Sequence, residues 1–195
     1  MAKVKITSKM LKQTKLIQKE VQRITEQNYK AIAKVFIDFG NDTEKQFAKI
    51  TMQDLKWDVL KSRLDIVLST NSKRSTKSFV NFLNKLFDFK LKTDRIETVE
   101  NETVNQYAKG LAKKVTYVTE TTKNQIASLI DNNKGLNTND LAKLINEKFV
   151  EISKGRARTI ARTESASLFS KSNRSIADEV GLKYATWIHG VSSPN

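Results

Sequence analysis

His189 is the only histidine in the chain, and there is no cysteine. Disulfides and thiolate metal sites are therefore excluded. His189 has no serine nucleophile in a recognised setting such as a nucleophile elbow, so it reads as a structural residue. No Gly-rich phosphate loop, zinc-ligand spacing or EF-hand loop occurs. Asp178 and Glu179 sit beside basic residues on a predicted helix and read as solvated surface. What remains with chemical character is cationic. Lys154, Arg158 and Arg162 recur at intervals of four, which lines them along one helical face. Lys9, Lys12, Lys15 and Lys19 enrich the first half of another predicted helix. Such residues contact polyanions such as nucleic acid. The sequence predicts no catalytic, cofactor-binding or metal-binding residue.

Composition agrees with a charged helical protein. The chain has 195 residues and a formal net charge of +14, from 35 Lys and Arg against 21 Asp and Glu. The excess is uneven. Residues 1–40 hold nine basic and three acidic residues, residues 76–105 balance, and residues 106–195 hold fourteen basic and eight acidic. No dense Arg/Lys cluster accompanies it, and no base-reading module is recognisable. Proline occurs once, at Pro194, among six glycines, while good helix formers are plentiful. No stretch approaches the roughly 20 apolar residues of a membrane span, and the first residues lack a signal-peptide run. The expectation is a soluble protein made in the cytoplasm.

Apolar spacings of three and four predict the elements that position these residues. A first helix runs from about Ser8 to Phe39, with Ile17, Val21, Ile24, Ile32, Val35 and Phe39 on one face. Thr7 or Ser8 caps it, Asn28 interrupts its stripe and Gly40 stops it. At about 45 Å it suggests an arm, a partner helix or a coiled-coil strand, with packing in the core of this chain an equal reading. Thr43 or Thr51 caps a second helix carrying Leu55, Leu60, Leu64 and Val67, with Asp54 completing a capping box. The run at 69–76 reads as a polar connection. A third helix carries Phe79, Phe82 and Phe87, with Phe89 close behind, marking a buried junction. A fourth starts near Asp94 and ends in the turn signal at 131–138. Thr138 caps a short fifth helix through Phe149, and a sixth runs from about Ser153 to Val180, stopping at Gly181. Residues 182–189 alternate and read as one β-strand presenting Trp187. The fold class is mainly α, with long amphipathic helices and a small C-terminal β element.

The order of Arg156, Ala157, Ile160, Ala161, Arg162, Thr163 and Glu164, then Gly181 and Trp187, resembles the C-terminal domain of the phage Mu F-like minor head proteins. The turn and helix at 135–145 resemble the segment before that motif, and the match covers about residues 104–190. The domains expected are a helical arm at 1–103 and a Mu F-like head-morphogenesis domain at 104–195. The resemblance implies a structural, non-enzymatic virion protein of a tailed-phage head, made in the host cytoplasm. Its implied partners are portal or major capsid subunits and, non-specifically, double-stranded DNA. Arg156, Arg158, Arg162, Thr163, Glu164, Gly181 and Trp187 then form a folding and interface motif. Arg162 is expected to be partly buried in a polar network, and Lys9, Lys12, Lys15 and Lys19 to contact DNA. Other readings are a non-specific nucleic-acid-binding protein and the carrier domain of a phage-related toxin. The family pattern continues after the tryptophan with an Arg-x-x-His segment and a second strand, which VSSPN at 191–195 does not supply. The strand is therefore expected to pair outside residues 1–195.

Overall fold

The computed structural model describes residues 7–47 and 55–182. Over these the protein is mainly α, with five helices: α1 Ser8–Phe47, α2 Trp57–Phe87, α3 Thr93–Ala108, α4 Leu111–Asp131 and α5 Thr138–Glu179. Thr51 and Asp54, read as a cap, lie outside the described residues, as do residues 183–189 of the expected strand.

Local chemistry sets several of the helix ends. The Thr7 hydroxyl accepts from the Met10 amide at 3.2 Å, capping α1 as expected. Asn137, not Thr138, caps α5, because its Oδ1 accepts from the Asp140 amide at 3.0 Å while its own amide holds the Asp140 carboxylate. At the other end Gly181 adopts φ +69°, and the Leu182 amide donates back to the Ala177 carbonyl at 2.8 Å. The left-handed residue ends the helix as the glycine signal implied.

Gly40 does not stop α1; it lies inside the helix, where its missing side chain is used. A Cβ there would stand 2.7 Å from the Phe149 Cβ of α5, so only glycine permits this approach. Asn28 meets Ser165, Gly40 meets Phe149, and Glu44 hydrogen-bonds Asn146. The first and last helices therefore run antiparallel along much of their length. Thr43, expected as a cap, is buried within α1 and donates to the Phe39 carbonyl at 2.8 Å. Asn28 is no break in the stripe. It is buried and donates to Ser75 at 3.1 Å and Ser165 at 3.0 Å, joining three helices.

The polar run at 69–76 is the middle of α2 rather than a connection. Asn71, Ser72, Ser75 and Thr76 are buried there. Small polar side chains let neighbouring helices approach, and partners such as Asn28 satisfy part of their hydrogen-bonding capacity. The expected second and third helices are thus one. The expected fourth is two, divided at Lys109–Gly110, and the fifth and sixth are one helix of 42 residues.

The main core gathers Ile24, Ile32 and Phe36 of α1, Leu60, Leu64 and Phe79 of α2, Val115 and Ile126 of α4, and Ile145, Phe149 and Leu168 of α5. Residues on both sides of position 103 share it. A smaller cluster of Val80, Leu83, Val99 and Ile176, with Phe82 and Phe89 against it, fastens α3 to α2 and α5. Of the phenylalanines read as a buried junction, Phe82 and Phe89 pack there, Phe79 belongs to the main core, and Phe87 is exposed.

Candidate functional site

The stretch singled out by spacing, 154–164, occupies the middle of α5, and its alternating fates follow from helix geometry. Lys154, Arg158 and Arg162 are exposed on one side, as their spacing requires. Ala157 and Ala161 are fully buried. Arg162 and Glu164, two residues apart, point apart as the sequence indicates.

Each charged group has a separate setting. Arg156 is half-buried and donates to the Thr122 hydroxyl at 2.8 Å and the Val118 carbonyl at 3.4 Å, bracing α5 against α4. Burial pulls the Arg156 pKa below its ordinary value. The Arg158 guanidinium lies 4.7 Å from the Tyr29 ring centroid, a cation–π contact between α5 and α1. Thr163 is exposed. Arg162 is exposed too and makes no ion pair among the described residues, which corrects the expectation that it is partly buried in a polar network. α5 turns Arg162 away from the core by the same two-residue step that turns Glu164 into it.

The polar network forms around Glu164 instead. Its carboxylate is buried and accepts from the Lys114 ammonium of α4 at 2.8 Å. Lys114 also stands 4.7 Å from the ring centroid of Tyr107. Burial, then the Glu164 charge and a hydrogen bond to it, push the Tyr107 phenol well above its ordinary pKa. The hydroxyl therefore stays protonated and available to donate. This triad ties the end of α3, the start of α4 and the middle of α5 together.

The resemblance singled out Glu164 but not Tyr107 or Lys114, which lie more than 45 positions away and carry no local motif. A separate signal was available for Asn28: a polar residue at an apolar-stripe position must find buried partners. Lys9, Lys12, Lys15 and Lys19 are exposed on the first turns of α1, ahead of Ile24, the first buried residue described. Gly181 ends α5, well apart from the Glu164 triad. Trp187 and His189 lie outside the described residues.

Arg158 and Arg162 face α1 across an open groove whose other wall includes Ile17, Val21, Thr25 and Tyr29. Among the described residues, no group of three His, Asp or Glu is placed to hold a metal ion, and no helix is long and apolar enough to cross a membrane. No family model, curated protein or solved structure matches this chain.

Proposed function

We propose that this protein is a structural minor head protein of a tailed phage, associated with the portal or the capsid interior and without a catalytic role. The observation that carries the reading is the ordered pattern of Arg156, Ala157, Ile160, Ala161, Arg162, Thr163, Glu164, Gly181 and Trp187. Its setting is compatible with that role. Ala157 and Ala161 serve packing and Glu164 an internal ion pair, whereas Arg158, Arg162 and Thr163 are exposed toward any neighbouring subunit. Residues 182–189 complete the proposal as a small C-terminal β element, a strand whose edges are open to pairing with a partner.

The test is mass spectrometry of particles purified from the phage or prophage that encodes the chain. The expected result is a defined copy number in intact heads. Absence from particles that contain portal and capsid proteins would overturn the reading. The exposed lysines at the start of α1 favour a second role within it, sequence-blind contact with packaged double-stranded DNA.

A further inference from the structure

The antiparallel α1–α5 pair leaves a groove on its outer side. Ile17, Val21 and Tyr29 contribute partly exposed apolar surface along one wall. They repeat at four and eight residues, so they span about 18 Å of helix, a little over three turns. Arg158 and Arg162 edge the opposite wall one turn apart, and neither is ion-paired among the described residues. Glu26 also lines the groove, along with Gln18, Gln22 and Thr25.

The geometry points to a docking site for an acidic amphipathic helix of a partner protein. Such a helix lays an apolar stripe of three–four spacing on Ile17, Val21 and Tyr29. Two carboxylates one turn apart then meet Arg158 and Arg162, and guanidinium groups take carboxylates through paired hydrogen bonds. Tyr29 already holds the Arg158 guanidinium over its ring, which lowers the ordering cost of that contact. Charge and shape choose this occupant over duplex DNA. Phosphate contacts need no apolar wall, and the lysines at 9, 12, 15 and 19 offer exposed cations that do not line the groove. The inference stands apart from the head-protein proposal: absence of the chain from virions leaves the groove and its test unchanged.

The experiment titrates the protein with a fluorescent synthetic helix bearing leucines at three–four spacing and a pair of glutamates one turn apart. Saturable binding is expected, with resonance shifts at the Ile17 and Val21 methyl groups. The double variant Arg158→Glu, Arg162→Glu should bind at least about tenfold more weakly. Both side chains are exposed, so circular dichroism of that variant should match the parent protein. A peptide with lysines in place of the glutamates should not bind. No saturable binding, equal binding by the double variant, or shifts confined to other helices would overturn the inference. So would duplex DNA binding that is lost in the double variant while the peptide fails to bind.

Discussion

Glu164 and Arg162, two positions apart on α5, should differ sharply in how far stability depends on their charge. Lys114→Ala removes the cation from Glu164 and leaves a carboxylate inside the protein with Tyr107 as its remaining neighbour. Leaving a buried charge unpaired costs about 3–5 kcal/mol, and the low end applies because Lys114 is itself partly solvated. Arg162→Ala removes an exposed side chain and should change stability by no more than about 0.5 kcal/mol. Urea denaturation of both variants checks the pair; equal losses would contradict the inward and outward assignments. Glu100 supplies a pH test. Burial raises its carboxyl pKa, Lys77 opposes the shift, and Glu97 adds to it. A raised folded pKa means the native state holds the proton more tightly than the unfolded chain. Its contribution is present below the unfolded pKa and is lost as pH rises through the folded value. At neutral pH the charged group is therefore a cost. Glu100→Gln should raise the melting temperature at pH 7, and the gain should shrink as pH falls into the ordinary carboxylate range.

The helices themselves were partly legible in the sequence. The apolar stripe gave the start and face of α1, and Gly181 gave the end of α5. Besides the stop read at Gly40 and the missed division at Lys109–Gly110, two breaks were read where one helix continues, for physical reasons. The run at 69–76 has the composition of a loop, yet its Ser, Thr and Asn side chains are small enough to be buried between helices. α5 is one helix whose buried face drifts around its axis, from Ile145 and Phe149 through Ala157 and Ala161 to Ser172 and Ile176. Different neighbours cover successive turns, so no single stripe persists and the pattern looks like two helices. Glu164 stood out by sequence, but its partners are distant in the chain and only the packing brings them together. Proline scanning tests the continuity. Lys73 and Lys154 are exposed in the middle of α2 and α5, so changing them disturbs little packing. Lys73→Pro and Lys154→Pro should each cost about 3 kcal/mol or more by breaking the helix. Melting temperatures close to the parent's would restore the loop at 69–76 and the break before Ser153.

At the scale of the molecule, the core ignores the division drawn at residue 103. α1 and α2 pack on α4 and α5 through the same buried residues. Fragments 1–103 and 104–195 should each lose cooperative unfolding by circular dichroism, and mixing them should recover part of it. A cooperative transition in either fragment alone would show a self-sufficient domain. The charge distribution makes a second large-scale expectation. Lys9, Lys12, Lys15 and Lys19 carry no folding role in the core, so a phosphate backbone can engage them. With all four engaged, the logarithm of duplex affinity should fall by about 3.6 per log unit of salt. Reversing the four lysines to glutamate should flatten that slope; an unchanged slope would place DNA contact elsewhere.

The antiparallel pairing of α1 with α5 has a consequence for how the protein is made. Asn28 and Ser165 are 137 residues apart in the chain, yet they touch. Synthesis at roughly 5–20 residues per second leaves α1 waiting on the order of 10 s for its complement. During that interval Ile24, Ile32, Phe36 and Phe39 cannot be covered by α5. Closing so long a loop also slows refolding relative to bundles whose neighbouring helices pack in order. α1 is thus completed only by α5, made well after it, and nascent chains interrupted before residue 149 should be the ones that bind holdase chaperones or aggregate.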